Sequence, residues 1–345
     1  MKESLLGLFP EELKDVLCAM GEKPFRAEQV FSWLHRGVPF SGMSNLSPDL
    51  RARLAERYLD QPVSVLQKNV SRLDGTMKLL FSLSDGNCVE GVLMHYKYGW
   101  TLCVSTQVGC KMGCRFCAST LEGCVRSLTA AEMVGEVLCA NALLGEDKVH
   151  NIVLMGSGEP LDNYDNVLRF LRLVGHEKGL NIGARHISLS TCGLVPEMAR
   201  LAQEGLQITL SVSLHAPNDE IRKQIMPIAS RYPIGELIAA CKSYIEKTGR
   251  RVVFEYALID HLNASLSDAD ALSRLLRGMQ CHVNLIPLNT VKERDLCGVT
   301  PKQANDFLNE LTKNHISATL RREMGDDIQG ACGQLRRRYL RGNDA

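Results

Sequence analysis

The sequence lacks long hydrophobic runs and carries almost no net charge. No window approaches the roughly 18 apolar residues of a membrane-spanning helix, so we expect no membrane association. The N-terminal stretch has no charged leader followed by an apolar core and a cleavage site, which predicts a cytoplasmic protein. A formal net charge of +1 excludes a polycation, so any nucleic-acid partner must bind local basic patches. Internal repeats and low-complexity segments are also absent.

The composition is that of a globular enzyme with ample material for a core: 345 residues, 45% of them hydrophobic and 23% charged. Thirteen cysteines in a cytosolic chain do not predict a disulfide framework, because that compartment keeps thiols reduced. Cysteines that cluster are therefore candidates for metal binding or catalysis. Cys18, Cys139, Cys241 and Cys281 lie among apolar residues, and we interpret them as small core side chains.

Residues 1–60 predict a small helical module. Helical spacing of apolar residues occurs in FPEELKDVLCAMG, PFRAEQVFSWLHRG and SPDLRARLAERYL. In the third stretch, Ser47 is suited to the helix N-cap and Pro48 to the first helical position. Residues 61–98 contain MKLLFSL, the turn SDGN and VEGVLMHYKY, which predict a β-hairpin connector.

From Trp100 onward, strand-like and helix-like stretches alternate. The strand-like runs are TLCVST, VHNIVLM, ARHISLS, LQITLSVSL, RRVVFEYALI, HVNLIPL and ISATLRR. The helix-like stretches between them include AAEMVGEVLCANALL, YDNVLRFLRLV, IGELIAACKSYIEKT and SDADALSRLLRGM. Repeated βα units predict a parallel sheet with helices outside, and their number favours an incomplete barrel of the α/β class over residues 99–325. Residues 326–345 then form a C-terminal segment. Chemistry in such folds gathers at the carboxyl ends of the strands.

Three cysteines follow the first barrel strand in the stretch VGCKMGCRFCAST. Cys110, Cys114 and Cys117 have the spacing Cys-x3-Cys-x2-Cys. Three thiolate ligands leave one coordination position open, which in metal enzymes is where chemistry occurs. An iron–sulfur cube usually takes four cysteines, so three would leave one iron able to bind a substrate. The alternative is a structural zinc site whose fourth ligand comes from elsewhere in the chain.

This spacing on this loop resembles the radical S-adenosylmethionine (radical SAM) superfamily. The resemblance implies a [4Fe–4S] cluster on the three cysteines, with S-adenosylmethionine chelated to the open iron. The turn MGSGEP supports it, because Gly158 allows close approach of backbone and Glu159 can accept from the ammonium of the cofactor. Further candidate cofactor-binding residues end later strands: Ser190, Ser213, Leu214, His215 and Asn289. Any one of these alone would be interpreted as a capping or turn residue.

A closer resemblance extends from Phe9 to Leu335. TLCVSTQVGCKMGCRFCAST, MGSGEPLDN, SLHAPNDEIR, LIPLN and GDDIQGACGQL together resemble the RlmN and Cfr family of RNA adenine methyltransferases. The RlmN branch implies methylation of carbon 2 of an adenosine in the peptidyl-transferase centre of 23S rRNA and of the adenosine 3′ to the tRNA anticodon. Two alternatives stay open: Cfr-type methylation at carbon 8, and a non-catalytic RNA-binding protein that contains zinc.

The resemblance also implies three catalytic residues. Cys332 would carry a methyl group as methylcysteine, Cys103 would attack the sulfur of Cys332 to release the RNA, and Glu90 would take the proton from carbon 2. The residue pattern leaves other interpretations open. Cys103 lies on a strand and faces either the core or the barrel lumen. Glu90 beside a glycine is also typical of a solvated turn, and Cys332 can be a structural thiol.

An RNA substrate requires local phosphate contacts. The candidates are basic residues in the helical module, after the last strand and near the C-terminus: Lys23, Arg26, Arg36, Arg321, Arg322, Arg336, Arg337, Arg338 and Arg341. A basic tail is also typical of a solvated helix end. The resemblance further implies an external electron donor such as flavodoxin or ferredoxin, and a monomeric enzyme.

Overall fold

The computed structural model describes residues 2–288, 295–322, 324–328, 335–336 and 339. Its α-helices are α1 (Pro10–Ala19), α2 (Arg26–Leu34), α3 (Pro48–Arg57), α4 (Ala130–Leu144), α5 (Tyr164–Val174), α6 (Val195–Leu201), α7 (Asp219–Ile225), α8 (Ile234–Thr248), α9 (Leu266–Leu276) and α10 (Pro301–Lys313). Its strands are β1 (Glu3–Ser4), β2 (Tyr58–Leu59), β3 (Val63–Val70), β4 (Met77–Leu83), β5 (Cys88–Tyr96), β6 (Gly99–Cys103), β7 (Gln107–Gly109), β8 (Cys124–Ser127), β9 (Val149–Leu154), β10 (Ile187–Thr191), β11 (Thr209–Ser213), β12 (Val252–Leu258), β13 (Cys281–Pro287) and β14 (Ala318–Leu320). No helix within these ranges has the length and apolar character needed to cross a bilayer.

One large sheet organises the fold. Its strand order is β14-β13-β12-β11-β10-β9-β6-β5-β4-β3. The strands from β6 to β14 in this order pair in parallel, whereas β5, β4 and β3 continue the sheet in antiparallel pairs. The predicted α/β class with a partial barrel is therefore confirmed. The connector differs from the predicted hairpin, because it contributes three strands to this sheet and not two.

The strongest periodic patterns coincide with observed elements. The predicted helices AAEMVGEVLCANALL, YDNVLRFLRLV and IGELIAACKSYIEKT have the bounds of α4, α5 and α8. The sequence interpretation missed α6, α7 and α10, and it also missed the short pair β7 and β8 that encloses the cysteine loop. The short helices α6 and α7 span seven residues each, which is too few for helical periodicity to be recognised.

The two faces of the sheet have different environments. Leu102 and Val104 belong to the main hydrophobic core, together with Met133 and Val137 of α4. Cys103, between them on the chain, belongs to a separate cluster on the opposite face. Successive side chains of a strand point to opposite faces, so the outer face packs against the helices and the inner face forms the barrel lumen.

The helical module packs against the barrel. Strands β1 and β2 pair at its base, and apolar residues of α1, α2 and α3 belong to the same core as those of the barrel helices. The Arg169 guanidinium of α5 donates to the Gly7 carbonyl at 2.6 Å and pairs with Glu12. These contacts join the module to the barrel. The division of the chain at residues 60, 98 and 325 stays a prediction.

His35 lies buried between the module and the barrel and stacks on Phe31 at a centroid distance of 4.1 Å. Burial, and then the charge of His176, lower the pKa of His35 from 6.5 to about 4. Because the pKa of His35 is lower in the folded protein than in the unfolded chain, the unfolded chain gains a proton first as the pH falls. The free energy of unfolding is therefore highest above pH 6.5 and decreases as the pH falls towards 4. We expect the free energy of unfolding to decrease by about 3 kcal/mol over that range, because of His35.

Urea unfolding at several pH values between 7 and 4 measures this dependence. The variant His35→Phe keeps an aromatic ring against Phe31 but cannot be protonated, so its stability should depend less on pH. The buried His215 is present in both proteins and contributes equally to each. Equal slopes for the two proteins would contradict the assignment to His35.

Candidate active site

The three clustered cysteines lie on a loop held by the short pair of strands β7 and β8. The pair is antiparallel, and the Cys110 N–H donates to the Gly123 carbonyl at 2.8 Å. Gly109 has a φ of +82°, and a Cβ on it would lie 2.0 Å from the Gly123 oxygen. Only glycine fits there, so the spacing of VGCKMGC includes a structural requirement as well as three ligands.

The three thiols lie within electrostatic reach of one another. Cys110 and Cys114 are buried and Cys117 is half-buried. Burial raises the pKa of Cys110 to about 12, and the nearby Cys117 and Glu159 act in the same direction. Burial also raises the pKa of Cys114, and Cys117 and Cys110 raise it further. Burial thus disfavours the thiolate forms of Cys110 and Cys114, and a bound cation would offset that cost.

The arrangement of the thiols fits an iron–sulfur cube better than a single ion. Within the described ranges, no three His, Cys, Asp or Glu side chains converge closely enough to hold one metal ion. A [4Fe–4S] cube binds each thiolate through a different iron, so its ligands do not need to converge on one point. Cys114 and Cys117 also contact an apolar cluster that includes Ile225, Met226 and Ile259, which limits access of water.

The segment after β6 and the segment after β9 lie in close backbone contact. The Gly156 N–H donates to the Val104 carbonyl at 3.1 Å, and the Ser157 carbonyl accepts from the N–H of Thr106 at 2.8 Å. A Cβ on Gly156 would lie 2.7 Å from the Val104 oxygen and 2.8 Å from the Ser105 nitrogen. Gly156, the first glycine of MGSGEP, therefore allows the two segments to come into contact. This contact places the cysteine loop beside Glu159.

Glu159 is buried, and its carboxylate accepts from two backbone groups. The Leu161 N–H donates to one oxygen at 3.0 Å, and the Cys192 N–H donates to the other at 2.7 Å. Burial raises the pKa of Glu159, whereas these hydrogen bonds oppose the rise. The Thr191 and Cys192 side chains also hydrogen-bond to this carboxylate, so an ammonium group would replace or share these donors. The predicted role of Glu159 towards the cofactor stays a proposal.

His215 is held in a single orientation. It has a φ of +55° and is buried, and its Nδ1 accepts from the Ala257 N–H at 2.8 Å. Burial, and then the nearby Arg222, lower the pKa of His215 to about 3. The neutral ring therefore carries its proton on Nε2. The ring also contacts Phe116 of the cysteine loop edge-on, with 4.6 Å between the ring centroids. His215 therefore lies beside the cysteine loop.

The other predicted cofactor-binding residues occupy the ends of neighbouring strands. Ser190 of β10 pairs in register with Ser211, and Ser213 ends β11. Ser190 and Ser213 are half-buried, whereas Leu214 is buried. The strand ends thus place both hydroxyls at the end of the barrel that carries the cysteine loop, while Leu214 packs in the core. Asn289 lies outside the described residues.

Arg222 was not predicted, although it is the last residue of the stretch SLHAPNDEIR. It is fully buried in α7. Its guanidinium donates to four backbone carbonyls, those of Cys192 at 2.8 Å, Ser213 and Leu214 at 3.2 Å, and Tyr232 at 3.3 Å. These bonds fix the ends of β10 and β11. An arginine in a polar helical stretch resembles a surface residue, so the sequence alone gives no signal of this role.

Cys103 and Glu90 lie on the inner face of the sheet. Cys103 pairs in register with Val92 of β5, and both belong to the inner cluster with Met94. Glu90 precedes Val92 by two residues, so it shares that face, and it is 4% exposed. The lumen interpretation of Cys103 is therefore favoured over the core interpretation. Glu90 lies on a strand and not on a solvated turn.

The C-terminal segment is anchored on the same face. The Ser71 hydroxyl donates to Asp327 at 2.6 Å, and the Gly325 N–H donates to Asp74 at 2.9 Å. Further along the segment, the Arg336 N–H donates to the Glu90 carboxylate. Cys332 falls between these anchors and lies outside the described residues.

A second buried carboxylate on the inner face was missed. Glu255 of β12 accepts from the Asn284 amide of β13 at 3.1 Å, and burial raises the pKa of Glu255. Ser213, Glu255 and Asn284 form one cross-strand row. The available signal was a single acidic residue inside the apolar strand VVFEYAL. Such a residue indicates either an edge or a polar lumen.

Two known protein families match two separate parts of the chain. Residues 3–59 match the Ribosomal RNA large subunit methyltransferase N-terminal domain. Residues 104–269 match the Radical SAM superfamily. The first match covers the helical module, and the second begins at the end of β6 and extends through most of the parallel sheet.

Relatives match over nearly their whole length. A protein of Clostridium tetani named probable dual-specificity RNA methyltransferase RlmN is 54% identical over 341 residues, covering 99% of this chain and 97% of the relative. This chain belongs to the RlmN family. A relative of the same name from Clostridium perfringens is 53% identical and covers 98% of both chains.

A solved structure supports the same assignment of fold. A radical SAM methyltransferase from Sphaerobacter thermophilus superposes with a TM-score of 0.93 at 46% identity, covering 96% of this chain and 98% of that one. As an RlmN-family member of the radical SAM superfamily, the chain uses a [4Fe–4S] cluster and S-adenosylmethionine. The structural-zinc alternative does not fit this family.

The close contact at Gly156 gives a testable prediction. Gly156→Ala places a methyl group against backbone atoms that cannot move independently, so we expect a loss of about 1–3 kcal/mol in the free energy of unfolding. The displaced segment should also loosen the cysteine loop and lower the iron content after anaerobic reconstitution. Urea unfolding and iron analysis measure both effects.

Gly235→Ala is the matched control. Gly235 lies in α8, and a Cβ there meets nothing within 4 Å. The control should leave the iron content unchanged and increase stability slightly, because alanine favours helix more than glycine does. Equal behaviour of the two variants would contradict the importance of the close contact.

Proposed function

We propose that this chain methylates carbon 2 of adenosine in the peptidyl-transferase centre of 23S rRNA and of the adenosine 3′ to the tRNA anticodon. It is a radical SAM RNA methyltransferase of the RlmN family. The words "dual-specificity" in the names of its relatives support two classes of RNA substrate. The proposed mechanism uses Cys332, Cys103 and Glu90.

The main structural support for this mechanism is the contact between the C-terminal segment and Glu90. The Arg336 N–H binds the Glu90 carboxylate, and Cys332 is four residues earlier in the chain. Four residues span at most about 14 Å, so Cys332 is tethered within reach of the inner face. That face also bears Cys103. These facts support a common site for the three residues.

The three residues divide the chemistry between them. As a thiolate, Cys332 takes a methyl group from one S-adenosylmethionine by nucleophilic displacement. Cys110, Cys114 and Cys117 would hold the cluster, which would supply the electron for reductive cleavage of a second S-adenosylmethionine and thus the radical that removes a hydrogen atom from that methyl group. The carbon radical on Cys332 would then add to carbon 2 of the adenine and join the RNA to the protein, and the adduct would give up its one unpaired electron to the oxidised cluster. Glu90 takes the proton from carbon 2.

Cys103 then ends the covalent linkage. As a thiolate, it attacks the sulfur of Cys332, so that a disulfide forms while the bond from that sulfur to the methylene carbon breaks, and the released carbon takes up a proton to become the methyl group. Cys103 is buried next to Val92 and Met94, which excludes water from this step. A thiol reductant must reduce the disulfide before the next turnover.

RNA binding is assigned to exposed basic residues. Lys23 and Arg36 of the module and Arg322 after β14 are exposed, and we assign phosphate contacts to them. Arg26 donates to the Asn45 carbonyl, and Arg336 pairs with Glu122 at 3.3 Å, so both already have protein partners. Arg337, Arg338 and Arg341 lie outside the described residues.

The remaining partners follow from the proposed reaction. The cluster needs a one-electron donor, and we assign a flavodoxin or a ferredoxin to that role. We propose that the enzyme acts as a monomer in the cytoplasm, where its RNA substrates are found. Because the target base must leave its stack, single-stranded and loop regions are the expected substrates.

The test is the identity of the methylated nucleoside. Anaerobically reconstituted protein is incubated with S-adenosylmethionine, a reductant and either an unmodified rRNA fragment or tRNA, and the product is compared with 2-methyl and 8-methyl standards by mass spectrometry. We expect 2-methyladenosine from both RNAs. Cys332→Ala should reduce it below detection, and Cys103→Ala should accumulate RNA bound covalently to protein on a denaturing gel.

Cys18→Ala is the matched control, because Cys18 is exposed on α1 and not in the core, where the sequence pattern had placed it. It should give wild-type product. The 8-methyl product would keep the radical chemistry but move the chain to the Cfr branch. A protein that cleaves S-adenosylmethionine without methylating either RNA would show that the substrate assignment is wrong.

A further inference from the structure

Lys78 is a lysine buried completely inside the protein. It lies near the start of β4, and none of its surface is exposed. Its ammonium is 3.4 Å from a Glu90 carboxylate oxygen, and Glu90 is itself 4% exposed. Removing a lysine from water is costly unless its charge is compensated. Neither the radical chemistry nor RNA binding, as described above, uses this residue.

The position of Lys78 in the sheet relates it to the proposed catalytic residues. Lys78 pairs in register with Val92, Val92 with Cys103, and Cys103 with Val153. These four residues therefore form one cross-strand row on the inner face, with Lys78 two strands from Cys103. Neighbouring strands are about 4.8 Å apart, so Lys78 and Cys103 lie about 10 Å apart along the row. Glu90 is diagonal to Lys78 on the adjacent strand.

The C-terminal segment closes this part of the inner face. Leu335 is buried against Leu80 and Cys88, and the Arg336 N–H donates to Oε1 of Glu90, while the Lys78 ammonium lies 3.4 Å from Oε2. The carboxylate is therefore held between β4 and the segment that leads from Cys332. Within the described part of the chain, the charged and titratable groups near Glu90 include Lys78, Arg336 and Cys88, and Arg336 in turn pairs with Glu122.

We infer that Lys78 is a positioning residue for Glu90, whose buried ammonium keeps that carboxylate ionised and oriented to accept the proton from carbon 2. The inference rests on the proposed role of Glu90 as base. In that step the C–H bond breaks, its electron pair stays with the ring, and the proton binds a Glu90 oxygen while Lys78 keeps its own protons. A carboxylate in a dry site otherwise retains a proton and cannot act as a base.

A purely structural pair would have different consequences. If Lys78 only stabilised the fold, its loss would lower activity equally at every pH, in proportion to the loss of folded protein. If Lys78 maintains the charge of Glu90, its loss makes activity recover at higher pH. An opposite charge within hydrogen-bonding distance typically shifts the titration of a carboxyl by about 1–3 pH units, so the two alternatives are distinguishable.

The experiment compares Lys78→Met, Lys78→Gln, Lys78→Arg and Glu90→Gln as reconstituted holoenzymes acting on unmodified tRNA between pH 6 and 10. Methylated nucleoside, covalent RNA–protein adduct on denaturing gels, and thermal stability are measured for each. Lys68→Met is the matched control, because Lys68 is an exposed lysine on the adjacent strand β3. It should keep the wild-type pH profile.

We expect both neutral variants at position 78 to accumulate adduct at neutral pH and to release methylated RNA at higher pH. In the plot of activity against pH, the loss of activity on the acid side (the acid limb) should move to higher pH by at least one unit in these two variants. In Lys78→Arg it should stay near its wild-type position. Glu90→Gln should accumulate adduct at every pH. If either Lys78→Met or Lys78→Gln does not fold, the other variant is used for the comparison.

Three results would overturn the inference. An unshifted acid limb in a folded neutral variant, with activity lost uniformly, would make Lys78 a structural residue and leave the role of Glu90 intact. Wild-type methylation by Glu90→Gln would instead remove the base assignment and this inference with it. If both neutral variants fail to fold, an acid limb displaced in Lys78→Arg, which keeps the charge, would also contradict it.

Discussion

The close backbone contact between the segments after β6 and β9 is the constraint on which the site depends. Val104 and Gly156 approach so closely that only hydrogen fits as the side chain at position 156. Through this contact, the loop with Cys110 shares a rigid base with Glu159, whose N–H donates to Gln107 at 3.0 Å. Functional groups on such a base are held in place before any ligand binds, which lowers the cost of ordering them.

The sheet separates two kinds of interior. Its outer face, with Leu79 and Phe81, packs into the main hydrophobic core and supplies most of the stability. Its inner face buries charged groups, including Lys78, Glu90 and Glu255. Buried charges of this kind contribute little net stability, because desolvation offsets their attraction. Their presence on one face is therefore better explained by function than by folding.

The sequence was most informative where the signal was local. Long amphipathic helices such as α4 and the three spaced cysteines were predicted, because periodicity and ligand spacing are properties of a short segment. Strand β3 was missed because most of its side chains are exposed, as suits an edge strand. Lys78, Arg222 and Glu255 were missed for another reason. A charged residue is normally assigned to the surface, and only the complete fold shows that the inner face and α7 bury these three.

The anchoring of the C-terminal segment determines the order in which the enzyme is completed. Ser71 binds a partner 256 residues later in the chain, and Glu90 binds one 246 residues later. Contacts so distant in sequence form late, because the closure entropy of a long loop must be compensated before they contribute. During synthesis, the cysteine loop emerges and folds while the lumen is still open on this side. The surroundings of Glu90 are therefore covered late in folding, after the strands that carry them have already paired.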